Sequence, residues 1–212
     1  MSLWAIVPIK PLLQGKSRLS GVLSAQERNE LNIFLLEHTL SVLTKVAEIA
    51  QVLVVSRDPE VLRRATEAGA VALPEDEVSD LNQALRQATL FVQAQHGQSV
   101  LVIPADLPLL CQADLQAILR CAGNAPGVVI VPDRRREGTN ALLVQPAGQM
   151  DYAFGAGSFG LHCSAARQAG GSVEICELPL VALDLDLPED LEAFRQMNTK
   201  SDLIITEPGG EP

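Results

Sequence analysis

Five short runs of nearly uninterrupted aliphatic residues constrain this chain more than any other feature. They are LWAIVPI at 3–9, QVLVVS at 51–56, AVALP at 70–74, SVLVIP at 99–104 and GVVIVP at 127–132. A strand that is apolar along its whole length is one covered on both faces. Between these runs the pattern turns helical. Ser24 and Glu27 stand at capping-box spacing. Leu31, Phe34, Leu35, His38, Val42 and Val46 then mark the expected apolar face of a long helix. DPEVLRRATEAG has Pro59 near its start and Gly69 as its stop. Further helices are expected from about Ser79 and within ADLPLLCQADLQAILRCAG. Strands alternating with helices at this spacing predict βαβ units and a mostly parallel sheet in an α/β fold.

The rest is less regular. DRRREGTNALLVQP gives a charged loop and a strand, and FGAGSFGLHCSAARQAG a glycine-rich turn feeding a helix near Phe159. SVEICEL is a strand, and VALDLDLPEDLEAFRQM an acidic loop with a final helix. A chain of 212 residues suits one domain. Residues 1–200 are read as that domain and 201–212, ending TEPGGEP, as a flexible tail. Aromatics make up only 3%, so the core must come from Leu, Val, Ile and Ala.

Charge narrows the partners. Twenty-six Asp and Glu against sixteen Lys and Arg leave a net charge of −10. Such a surface argues against nucleic acid and anionic membrane, which need cationic area. It leaves nucleotides open, since a local cationic loop or a metal suffices. Cys111, Cys121, Cys163 and Cys176 form neither a CxxC pair nor a zinc spacing, and read as buried free thiols. No leader or membrane-length apolar run stands out, so a cytoplasmic protein is expected. Whether it is a monomer or a homodimer stays open.

In open α/β sheets, ligands bind beyond the carboxyl ends of the strands. PIKPLLQGKSRLSG follows the first strand and concentrates Lys10, Lys16 and Arg18 in an otherwise acidic chain. It is not a Walker A loop, because Lys10 replaces the first glycine of that pattern, and GxGxxG is missing as well. What remains is a loop able to present backbone N–H groups and three cations to a polyphosphate. Asp106 follows the fourth run, in VIPADLPLL. LDLDLPEDL adds Asp184 and Asp186, expected to point to opposite faces if the strand continues, so that one of them faces Asp106. Glu189 and Asp190 complement the last helix dipole and need no catalytic role.

Carboxylates gathered on one rim repel unless they share a proton or a cation. Beside a phosphate loop, Mg²⁺ is the natural choice, since it takes carboxylate and phosphate oxygens together. Phosphoryl or nucleotidyl transfer uses this set. No Ser–His–base set competes convincingly, and His38 and His96 read as structural or surface residues. Thr139 and Asn140 add a hydroxyl and an amide. Gly155 and Ser158 precede a helix N-terminus, a small anion site suited to a phosphorylated or carboxylated acceptor. Asn82 either reads a base edge or caps a turn.

AIVPIKPLLQGKSRL, SDLNQAL, PADLPLL, EGTNALL, FGAGSF and LDLDLPEDL, in this order, resemble the phosphoenolpyruvate / 2-phospho-L-lactate guanylyltransferase family of coenzyme F420 biosynthesis. The likeness runs from residue 4 to about residue 195. PADLPLL alone would also suit molybdenum-cofactor guanylyltransferases and the cytidylyltransferases of sugars and isoprenoid precursors. Asp80 stands where the family often has Gly, and DLP where many members have DTP. The resemblance implies a three-layer α/β/α nucleotidyltransferase (glycosyltransferase-A-like) fold that joins GTP to a phosphorylated three-carbon acid and releases diphosphate. It implies Lys10, Lys16 and Arg18 on the GTP phosphates, and Asp106 with Asp186 on Mg²⁺, Asp184 in reserve. It implies Thr139, Gly155 and Ser158 at the acceptor. Phosphoenolpyruvate is the favoured acceptor over 2-phospho-L-lactate. A related enzyme using 3-phosphoglycerate or molybdopterin is the nearest alternative, followed by a non-catalytic GTP-binding regulator. A glycosyltransferase would need a central DxD motif.

Overall fold

The computed structural model describes residues 2–76, 80–123 and 126–198. The proposed tail, 201–212, lies outside them, as does Ser79. In chain order the elements are β1 (Leu3–Pro8), α1 (Ala25–Leu43), β2 (Ile49–Ser56), α2 (Pro59–Glu67), β3 (Val71–Pro74), α3 (Leu81–Ala94) and β4 (Ser99–Val102). Then come α4 (Gln112–Cys121), β5 (Gly127–Pro132), β6 (Thr139–Gln145), α5 (Ser158–Gln168), β7 (Ser172–Ile175) and α6 (Pro188–Asn198). All five expected aliphatic strands are present.

The strands form one sheet in the order β3-β2-β1-β4-β6-β5-β7. β6 runs antiparallel to both of its neighbours, and the other four pairings are parallel. One face packs on Leu36, Leu40 and Leu43 of α1, Val61 and Ala65 of α2, and Leu115 and Ile118 of α4. The other packs on Leu85, Ala88 and Val92 of α3 and Ala166 of α5. This is the three-layer α/β/α arrangement that doubly apolar strands require.

Ser24 caps α1 as its sequence predicts: Glu27 N–H donates to the Ser24 hydroxyl at 3.2 Å, and Ser24 N–H to the Glu27 carboxylate at 2.7 Å. The buried face of that helix differs from the expected one. Asn32, Leu35, Leu36, Thr39, Leu40 and Leu43 are buried, whereas Phe34 is 38% exposed and Val46 lies past the helix end. Polar Asn32 hid the true stripe. It tolerates burial because its amide donates to the Leu12 carbonyl at 2.6 Å. Of the four thiols expected to be buried, Cys163 and Cys176 are, whereas Cys111 is half-buried and Cys121 is exposed at the last turn of α4. No helix among the described residues is long and apolar enough to cross a membrane.

The order of the strands places the loops. Running from β3 through β2 and β1 to β4, the carboxyl ends deliver Glu75, Arg57, Lys10 and Asp106 along one rim. A cleft of about 730 Å³ opens there.

Candidate active site

The loop after β1 is held at both polar groups of Leu12. The Leu12 N–H donates to Asp58 Oδ2 at 2.9 Å, and its carbonyl accepts from Asn32. Asp58 also caps α2, so one carboxylate ties two elements together. Gly15 then passes so close to Asn32 that a Cβ there would sit 2.6 Å from the amide nitrogen. Lys16 follows in the left-handed region, at φ 56°. That conformation costs a non-glycine residue on the order of 1–2 kcal/mol. It starts the short 3-10 turn Ser17–Leu19, anchored by fully buried Leu19.

The Lys16 side chain is only 8% exposed. Its ammonium donates to Asp106 at 3.1 Å and to Asp186 at 3.2 Å. Burial works to lower its pKa. The charges of Asp106 and Asp186, with their hydrogen bonds, outweigh that and raise it, so the side chain stays charged through neutral pH. Arg18 reaches Asp186 at 3.5 Å from an exposed position. Lys10 lines the cleft and is exposed.

Asp106, Asp184 and Asp186 each present a carboxylate oxygen within 4.8 Å of the others. The expectation that Asp184 and Asp186 would face apart is corrected. They stand two positions apart, and alternate residues of an extended chain share a side. Val181, Leu183 and Leu185 are buried while Asp184 and Asp186 turn outward together. Leu185 N–H donates to the Asp106 carbonyl at 3.0 Å, which joins the two acidic loops. Burial first, and then the charge of Asp106, push Asp184 up to about 6. Three hard oxygen donors this close, one of them raised in pKa by burial first and by the charge of Asp106 second, fit a small divalent cation.

Asp190, expected to serve only the helix dipole, is buried. Its Oδ2 accepts from Asp186 N–H at 3.2 Å and Leu187 N–H at 2.8 Å, and its other oxygen pairs with Arg134. It therefore fixes the backbone that carries Asp186. The three-residue reach-back from Asp190 to Leu187 is a capping spacing and was the available signal.

The residues expected at the acceptor separate into two layers. Gly155 lines the cleft. Thr139, Asn140 and Ser158 are buried and do not line it. Thr139 Oγ1 meets His162 Nδ1 at 2.9 Å and accepts from Ser158 at 3.4 Å, and Asn140 donates to the Val181 carbonyl at 2.9 Å. Ala153 N–H donates to His162 Nε2 at 3.0 Å, so the neutral ring carries its proton on Nδ1. The Asn82 amide grips Phe154 at both backbone groups, 3.1 and 2.8 Å. Together these bonds brace the Gly155 turn. Asp80, the departure from the family pattern, caps α3 through Gln83 N–H at 2.9 Å. It replaces a glycine's freedom with a cap and leaves the helix start intact.

Burial holds His162 down to about 4. Its folded pKa lies below the ordinary 6.5, so the unfolded chain binds the proton more readily. The stability this neutral ring contributes is complete above pH 6.5 and is lost as pH falls toward 4. The expected loss over that window is about 3 kcal/mol. In urea titrations at pH 7 and pH 4, His162→Gln should narrow its stability gap to the unsubstituted protein by about that amount. A gap independent of pH would contradict the neutral buttress.

Residues 3–200 match the family model described as "Guanylyl transferase CofC like". A phosphoenolpyruvate guanylyltransferase of Rubrobacter xylanophilus is 44% identical over 191 residues, 90% of this chain and 92% of that one. A 2-phospho-L-lactate guanylyltransferase of Methanothermobacter thermautotrophicus is 36% identical over 191 residues, 90% of this chain and 83% of its own. Among solved structures, a putative nucleotide-diphospho-sugar transferase from Desulfovibrio desulfuricans superposes with a TM-score of 0.75 at 15% identity, covering 95% of this chain and 90% of that one. A nucleotidyl transferase from Methanothermobacter thermautotrophicus gives 0.69 at 16%, covering 95% and 99%. At such identities the structural likeness speaks for the fold.

Proposed function

The chain belongs to the CofC-like guanylyltransferase family, and from that premise we propose that it transfers GMP from GTP to the phosphate of phosphoenolpyruvate, releasing diphosphate. The single observation that carries this reading is the buried Lys16 ammonium bridging Asp106 and Asp186 in the cleft. It gathers a phosphate-binding cation and metal-binding carboxylates at one point. Relatives named for phosphoenolpyruvate support that acceptor, with 2-phospho-L-lactate as the chemically nearest substitute. The product would serve coenzyme F420 biosynthesis, and a cytoplasmic site goes with a GTP-consuming reaction.

Asp106 and Asp186, joined by Asp184, would hold Mg²⁺. When bound, the ion neutralises charge on the reacting phosphate and aligns it. Lys10, Lys16 and Arg18 grip the triphosphate and stabilise charge on the departing diphosphate. Asn82 sets the wall beside the base through Phe154. The acceptor sits against Gly155, with Thr139, Asn140 and Ser158 bracing that turn from beneath. Its phosphate is already ionised at neutral pH, so it attacks the α-phosphorus in line without a protein nucleophile. Catalysis is then positioning plus charge neutralisation.

Purified protein given GTP, Mg²⁺ and each candidate acid in turn should form a GMP–phosphoenolpyruvate adduct, seen by mass spectrometry, with one diphosphate per adduct. Diphosphate release that ignores the acceptor, or that requires CTP, would refute the proposal.

A further inference from the structure

The far end of the cleft carries an acid–base pair that phosphate and metal binding leave unused. Glu75 follows β3, with its side chain 9% exposed, and Arg57 follows β2. The guanidinium stands 3.3 Å from the Glu75 carboxylate, and both residues line the cleft. Glu75 N–H donates to the Ser56 carbonyl at 2.9 Å, which fixes where its side chain starts. Val55, Leu81 and Ala84 add apolar surface to the same cleft.

We propose that Glu75 and Arg57 read the Watson–Crick edge of guanine. This rests on the guanylyltransferase reading and names the residues that make it guanine-specific. Guanine presents two adjacent donors, N1–H and the 2-amino group, next to the O6 acceptor. A carboxylate accepts from both donors at once, and a neighbouring guanidinium donates to O6. Adenine and cytosine pair their exocyclic amine with a bare ring nitrogen, which would face the carboxylate lone pairs. Uracil offers one donor flanked by two acceptors.

Every carboxylate lining the cleft has a partner, and Glu75 is the one that pairs with the arginine at the end of β2. Asp80 caps α3, and Asp106 and Asp186 hold Lys16. The sheet sets the span. From the end of β3 to the end of β4 is three interstrand steps, about 14 Å. A nucleoside triphosphate laid along the rim reaches from Glu75 with its base to Lys16 and Asp106 with its phosphates.

The test compares GTP with ITP, which keeps N1–H and O6 and lacks the 2-amino group. The unsubstituted enzyme should favour GTP in kcat/KM by on the order of 10- to 100-fold, the range expected for one charge-assisted hydrogen bond. In Glu75→Gln that preference should collapse to within a few-fold. KM for GTP should rise while kcat at saturation stays nearly unchanged, since the groups around the phosphates are untouched. A structural role alone would lower both substrates equally. An unsubstituted enzyme that treats GTP and ITP alike, or a Glu75→Gln enzyme that keeps the full preference, overturns the assignment while the guanylyltransferase reading stands. An unsubstituted enzyme that prefers CTP or ATP overturns both.

Discussion

Asp106→Asn should lower acceptor-dependent diphosphate release by on the order of 10³-fold while leaving the fold intact. On the proposed reading Asp106 would hold Mg²⁺ at the reacting phosphate; losing such a ligand would remove several kcal/mol of transition-state stabilisation, and each 1.36 kcal/mol is a factor of ten. Stability should hardly suffer. The Asn carbonyl can still accept from Lys16, and one of three crowded anions has gone. The charge of Asp106 is the second cause, after burial, of the upward shift at Asp184. Neutralising it should let Asp184 ionise at lower pH, a relief that offsets the weakened pair with Lys16. Two measurements check this together: a Mg²⁺ titration of turnover, and thermal unfolding without nucleotide. The half-saturating Mg²⁺ concentration should climb, and the unfolding midpoint should move little. Near-normal turnover in a folded variant would take Asp106 out of the metal site.

The sequence made the first five strands legible because each is apolar along nearly its whole length. It made the rim legible because a strand-ending Asp or Lys is conspicuous after such a run. Lys16, Asp106 and Asp186 do converge. What stayed hidden were residues whose role depends on a distant partner. Asn32 looks like an interruption of a helical stripe until the Leu12 carbonyl is placed beside it, 20 positions away. Thr139, Asn140 and Ser158 look like ligand groups because they are small, polar and within two residues of a glycine. Their hydrogen bonds to one another, to His162 and to Val181 exist only once α5 packs on the sheet. Glu75 and Arg57 are 18 residues apart on the ends of two strands, and only the β2–β3 pairing makes them neighbours. Asp184 and Asp186 were misplaced for a simpler reason: a two-residue step in extended chain keeps a side chain on its own side.

Lys16→Met should separate metal binding from turnover. The ammonium stands where the proposed metal would bind, 3.1 Å from Asp106 and 3.2 Å from Asp186. An incoming divalent ion must displace it from both carboxylates. Near a protein surface a charge pair at such separations carries a few kcal/mol. Recovering even ~1.4 kcal/mol of that would tighten metal binding tenfold. Mn²⁺ titrated into Lys16→Met without nucleotide should therefore bind at least about tenfold more tightly than to the unsubstituted protein. Turnover should fall on the order of 10²–10³-fold, because the cation that would follow the negative charge onto the departing diphosphate is gone. Without metal the variant leaves three carboxylates within 4.8 Å and no Lys16 among them. Its unfolding midpoint should drop, and added Mg²⁺ should raise it by more than in the unsubstituted protein, since a ligand that binds only the folded state stabilises in proportion to its affinity. Weaker metal binding together with lost turnover would instead make Lys16 an organiser of the acidic cluster. Unchanged turnover would remove it from the phosphate site altogether.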